Sequence, residues 1–332
     1  MTKRTLFISI LLPVLALVGL NRLMGRWQTP LPHVVLRKIH TAAEPGYLVL
    51  GNSLVMAGMD EVAFREGLPP GTGSGPMLNT GCGGTFPAES AQFYFAAQRK
   101  FPRIPCVIMG FMFTQLTTPT DATWRDLAGN RALFYFADFE RGLSYYHPKS
   151  WLEDARFRIT HRLPAVYERL SLWRRVGILR ERMGECGLRA EKRTSFGRVS
   201  DFETDPFQPQ SPEALAEECR TALRENRQLS APVLDIIRQA RASGSKVFLV
   251  QMPLPKARRE YFAIDESWEK YQAHIRTRIE SEGASFVNAV DWFSDDGKYF
   301  VDNLHVTKSG AAEFSRRLAP IVASTAPKPS SR

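Results

Sequence analysis

The chain is sparing with residues that bind metals or cross-link. Its four cysteines, Cys82, Cys106, Cys186 and Cys219, are spread over 332 residues without metal-like spacing. They are read as structural thiols, and any disulfide pairing outside the cytoplasm stays open. There are six histidines and no internal repeat, so a solenoid or stacked array is not expected. Neither a cofactor nor a metal is expected.

What the chain does have is length and positive charge. At 332 residues and 44% hydrophobic content it can bury a large core, and one main domain with additions is the expected organisation. A formal charge of +10 suits either nucleic acid or an anionic membrane surface, so the placement of the charge decides more than its size.

The longest apolar run is N-terminal. Lys3 and Arg4 precede Leu6–Leu20, which only Ser9, Pro13 and Gly19 interrupt. A comfortable spanning helix needs about 20 residues, and Thr5 with the stretch to Met24 extends the run toward that length. No small-x-small cleavage site follows. Residues 5–24 are therefore read as an uncleaved anchor in preference to a removed signal peptide, with the main domain outside the cytoplasm. Residues 25–45, with Pro30, Pro32 and Pro45, read as a juxtamembrane linker.

Beyond the linker, apolar runs alternate with helical patterns. "YLVLG" (47–51), "CVIMGFMF" (106–113), "KVFLVQMPL" (246–254) and "SFVNAV" (285–290) read as strands buried on both faces. Helical spacing appears over 55–67, 212–227, 231–242 and 265–282. This alternation predicts an α/β fold, a three-layer α/β/α sandwich around a mainly parallel sheet, covering residues 46–323.

An insertion at about 120–211 breaks the alternation. From Trp151 to Ser200 it carries twelve Lys/Arg against six Asp/Glu, on two amphipathic helical patterns. Two readings are open: helices packed on the core with a solvated basic face, or a basic surface lying against lipid headgroups or a membrane partner. No nucleic-acid-binding motif accompanies the charge, and nucleic acid is not an expected partner. The tail, 324–332, is expected to be disordered.

In open α/β sheets sites form beyond the carboxyl ends of strands, where Gly51-Asn52-Ser53-Leu54 places a serine. A serine hydroxyl needs a base to take its proton, and that base needs an orienting group. Among the histidines, His305 stands out, because Asp302 precedes it by three residues just before the last helical pattern. That spacing lets the carboxylate reach Nδ1 and leaves Nε2 for the serine. Thr307 is the expected N-cap of the final helix, whose apolar face is Ala311, Phe314, Leu318, Ile321 and Val322. Asn79-Thr80-Gly81-Cys82-Gly83-Gly84 supplies a glycine-rich turn able to bring main-chain amides close to a substrate.

Together these blocks resemble the SGNH, or GDSL-type, hydrolase family, over about residues 46–118 and 212–323. The usual Gly-Asp-Ser-Leu reads Gly51-Asn52-Ser53-Leu54 here, and the family's Gly-x-Asn reads Gly110-Phe111-Met112. A thioether cannot donate a hydrogen bond, so that oxyanion donor is missing or comes from a neighbour such as Thr114 or Gln115. The resemblance implies an SGNH/flavodoxin-like fold and a catalytic set of Ser53, Asp302 and His305. It implies oxyanion binding by the backbone N–H groups of Ser53 and Gly84. With the anchor, it implies an exported esterase or O-acyltransferase acting on acyl esters, with envelope polysaccharide as an expected substrate and a membrane-bound O-acyltransferase as an expected partner. A catalytically silent domain that binds glycan or such a partner is the alternative.

Overall fold

The computed structural model describes residues 31–72, 75–117, 139–145, 150–162, 211–294 and 296–324, with positions 15, 16 and 19. All but those three positions of the expected anchor (5–24), most of the insertion and all but the first residue of the tail lie outside them. Among the described residues no helix is long and apolar enough to cross a membrane.

The described elements begin with helix α1 (Leu31–Thr41), then β1 (Tyr47–Leu50), α2 (Ser53–Gly58), α3 (Glu61–Gly67), β2 (Met77–Asn79), α4 (Pro87–Lys100) and β3 (Cys106–Phe111). Two helices of the insertion follow, α5 (Phe139–Ser144) and α6 (Trp151–Arg162). The second half is α7 (Pro212–Arg224), α8 (Ala231–Ala242), β4 (Lys246–Gln251), α9 (Lys256–Arg259), α10 (Ser267–Ser281), β5 (Ser285–Asn288), α11 (Asp296–Tyr299) and α12 (Lys308–Ser324).

The five strands form one sheet in the order β2-β1-β3-β4-β5, every pair parallel. Parallel strands need covering on both faces, and the expected apolar runs provide for it: every residue of β1 and β3 is buried. α2 and α3 pack with α12, while α4 packs with α8 and α7 with α10, an arrangement consistent with a sandwich. Because β1 lies between β2 and β3, successive connections leave it in opposite directions. In open α/β sheets such a switch point, here at the carboxyl ends of β1 and β3, is where ligand sites form.

Besides α4, a helix that no amphipathic pattern marked, three local features differ from the sequence reading. The stretch Met77–Asn79 is a fifth strand, too short to show a pattern. The helical pattern after Ser53 is two helices, because Asp60 caps a second one by accepting from Ala63 N at 2.9 Å. Part of the expected linker, Leu31–Thr41, is a helix that buries Val35 and Ile39 against the core. Burying two side chains one turn apart is worth about 1.5–3 kcal/mol each, enough to hold the helix on the domain.

The described part of the insertion is docked by polar contacts. Tyr145 Oη donates to Asp235 Oδ2 at 2.7 Å, and the Arg141 guanidinium lies 4.4 Å from the centre of the Phe95 ring. Arg158 joins α5 to α6 through Glu140 and its own-helix partner Asp154.

Candidate active site

Ser53 opens α2 directly after β1. Asn52 caps that helix, its Oδ1 accepting the Leu54 N–H at 3.0 Å. Asn52 is buried, and there a neutral carboxamide gives the cap without the desolvation that an ionised carboxylate would suffer. Gly51 makes the turn possible. It has φ +145°, and a Cβ on it would lie 2.4 Å from Val55 Cγ2 and 2.7 Å from the Gly110 carbonyl oxygen.

Asp302 and His305 sit in a loop closed by an antiparallel bridge between Phe300 and Val306 and by the Val301 N–H donating to the His305 carbonyl. Inside it, Asp302 Oδ1 accepts the N–H groups of Leu304 (2.8 Å) and His305 (2.6 Å). Its Oδ2 lies 2.9 Å from His305 Nδ1. Three-residue spacing thus lets one carboxylate shape the turn with one oxygen and hold the imidazole with the other. Thr307 then caps α12 as expected, accepting the Gly310 N–H at 3.1 Å.

The first and last of these segments meet here: His305 Nε2 lies 2.9 Å from Ser53 Oγ. With Nδ1–H directed at Asp302, Nε2 is the acceptor for the serine hydroxyl. Burial pushes the Asp302 carboxyl up, but hydrogen bonds from the His305 imidazole and from the backbone N–H groups of His305 and Leu304 outweigh it, so the group lies below its ordinary range. A carboxylate that stays ionised is what a neighbouring imidazolium requires.

The glycine-rich turn is fastened to the serine's strand and helix. Cys82 N–H donates to the Gly51 carbonyl at 3.0 Å, and Thr85 Oγ1 donates to the Cys82 carbonyl at 2.7 Å. Asn79 accepts the Gly81 N–H and donates to the Val55 carbonyl, tying the turn to α2. Gly84 has φ +71° and open space where a Cβ would stand. Among the described residues, neither the Ser53 nor the Gly84 N–H has a hydrogen-bond partner.

At the end of β3, Met112 is buried and Phe113 has φ +45°, a left-handed conformation that bulky residues rarely adopt. Phe113 is packed edge-on against Phe262, which stacks on Trp268 at 3.9 Å between ring centres. Gln115 spans from this turn to the glycine-rich one. Its Oε1 faces the Met112 N–H and its Nε2 the Thr85 carbonyl, each at 3.4 Å.

One buried acid at this site has no counterpart in the sequence reading. Glu89, in the first turn of α4, accepts the Phe86 N–H at 2.7 Å with Oε2, while Oε1 has no partner. Burial pushes its carboxyl up to about 8, against the pull of the backbone hydrogen bonds. The one available sequence signal was Pro87 followed two residues later by Glu89, a helix-start pattern. The thiols of Cys82, Cys106 and Cys219 are free, buried and each pushed up to about 12, chiefly by that burial. They are inert packing groups. Among the described residues no cluster of metal-ligating side chains occurs.

No family model matches the chain, and no curated protein matches it.

Proposed function

We propose that the protein is a membrane-anchored serine esterase or O-acyltransferase of SGNH type, working outside the cytoplasm on acyl esters of envelope glycans or related polymers. The observation that carries this reading is the continuous relay from Asp302 through His305 to Ser53, with both contacts at 2.9 Å. A lone Asp-x-x-His is common on protein surfaces; one that closes onto a serine beyond a parallel strand, at a topological switch point, is a working nucleophile geometry.

In this mechanism Ser53 Oγ attacks the ester carbonyl as its proton passes to His305 Nε2, and Asp302 stabilises the imidazolium. The carbonyl oxygen becomes an oxyanion facing the N–H groups of Ser53 and Gly84. As the intermediate collapses, the imidazolium gives its proton to the departing alcohol, leaving the acyl group on Ser53. A second hydroxyl then repeats the sequence: water completes hydrolysis, and a sugar or polyol hydroxyl completes transfer. A membrane-bound O-acyltransferase is the proposed partner in the transfer case.

Met112 favours a second reading, a domain of this type that binds glycan or a membrane partner with little turnover. It lacks the donor that the Gly-x-Asn block provides, a loss worth on the order of 3 kcal/mol at the transition state. A fluorophosphonate probe on the detergent-solubilised full chain separates the two. Labelling that disappears in folded Ser53→Ala supports the esterase reading, and an unlabelled folded wild type sinks it.

A further inference from the structure

The direction of α1 says which way the site points. Lys100, the last residue of α4, donates through Nζ to the carbonyls of Ile39, His40 and Ala42, so the carboxyl ends of α1 and α4 lie together. α4 starts beside Thr85 and the glycine-rich turn and ends just before β3. It therefore runs from the edge of the sheet that carries the triad to the opposite edge.

α1 packs against α4, with the two carboxyl ends together. Lys38 supplies an intermediate point, its Nζ donating at 2.8 Å to the carbonyl of Asn79, the last residue of β2. Seven residues of helix separate Lys38 from Leu31, a further rise of roughly 10 Å toward the carboxyl ends of the strands. The chain thus enters the domain from the edge that bears Ser53, Asp302 and His305. Only residues 25–30 separate α1 from the proposed anchor, and six residues reach at most about 20 Å when fully extended.

We infer that the triad edge of the sheet faces the membrane, and that the site takes its acyl ester at the level of the lipid headgroups instead of from polymer far from the bilayer. This rests on the anchor and esterase readings above. A helix docked through Val35, Ile39 and two lysine contacts is a strut: it transmits the anchor's position to the site. A free linker would let the domain tumble and present either edge.

The test uses the full chain in nanodiscs, in a Cys186→Ser background, with a single donor dye at Asn303 or at Arg103 and a short-range acceptor on the lipid headgroups. Both positions are exposed; Asn303 is in the triad loop and Arg103 precedes β3 at the far edge. Transfer from position 303 is expected to exceed that from position 103 at least 1.5-fold, and equal or reversed transfer overturns the inference.

A second arm follows acetate release from dioleoyl-acetylglycerol in the disc and from soluble p-nitrophenyl acetate. Inserting twenty Gly/Ser residues after Gln28 is expected to slow the lipid ester at least fivefold and the soluble ester less than twofold. An unchanged lipid rate overturns the proposed headgroup-level substrate. If neither ester is cleaved by the parent chain, the esterase reading fails while the dye measurement still decides the orientation.

Discussion

His305 presents Nε2 to the hydroxyl of Ser53 at 2.9 Å although 252 residues separate them in sequence. What holds the imidazole there is Asp302, and the consequence is measurable. In Asp302→Asn the amide oxygen can still accept the Leu304 and His305 N–H groups, so the loop should keep its shape. The side chain no longer favours Nδ1–H, and Nε2 loses its basic form. On the proposed esterase reading, kcat for ester cleavage is expected to fall on the order of 10³–10⁴-fold with thermal stability nearly unchanged. A fall below tenfold, with His305→Ala inactive, would mean that Asp302 only shapes the turn.

Glu89 gives a pH dependence of stability with a definite sign. Its carboxyl sits near 8 in the folded chain, against an ordinary value of 4.5. Between those values the folded state keeps a proton that the unfolded state has lost. Stability from this group therefore falls as pH rises from about 4.5 to 8 and levels off above that. Glu89→Gln cannot titrate and its amide oxygen can still accept the Phe86 N–H. Measured by urea unfolding, the variant should gain on wild type by roughly 2 kcal/mol between pH 5 and pH 7. Parallel stability curves across that range would show that Glu89 is ionised in the fold.

The two features just used were not equally legible in the sequence. Asp302 and His305 lie three apart, so a local turn suffices to join them, and β1, β3 and β4 announce themselves as apolar runs because both faces of an inner parallel strand are buried, whereas β5, at the edge of the sheet with only Val287 fully buried, shows as a shorter run. β2 is three residues long and has too little chain to show a pattern. α4 was invisible for the opposite reason: Pro87 to Ala97 are buried all round, polar residues included, so no amphipathic period exists to find. Glu89 depends on that burial, and neither its state nor the left-handed turn at Phe113 follows from residue type. The docking of α1 depends on Lys100, about 60 residues away, which no local pattern of the linker contains.

Two glycines of the site separate steric need from conformational need. Gly51→Ala adds a methyl into Val55 and the Gly110 carbonyl, atoms of the packed first turn of α2 and of β3. It should cost about 3 kcal/mol or more in urea unfolding and remove activity with the displaced serine. Gly84→Ala meets open space and pays only for φ +71°, roughly 1–2 kcal/mol. Its N–H remains in place, so kcat should stay within about fivefold. A Gly84→Ala variant that is stable yet inactive would show that substrate packs against the α-carbon itself.

Met112 offers the sharpest test of what limits the site. The residue is buried at the end of β3, and the Met112 N–H faces Gln115 Oε1, whose amide group also reaches the Thr85 carbonyl beside Gly84. That bracing fixes the relative position of the two turns but leaves the Gln115 Nε2 directed at a carbonyl, away from free duty as an oxyanion donor. Met112→Asn puts a side-chain N–H at the position where the SGNH pattern that the chain resembles has its asparagine. A donor placed in a site not built around it should recover part of the 10²–10³-fold that such a group supplies, so an increase in kcat of about tenfold is expected, with KM little changed. Pre-steady-state release of p-nitrophenol from p-nitrophenyl acetate separates acylation from deacylation, and the gain should appear in both, because both pass through an oxyanion. An unchanged acylation rate in the folded variant would place position 112 away from the reacting carbonyl and return the question to Gln115.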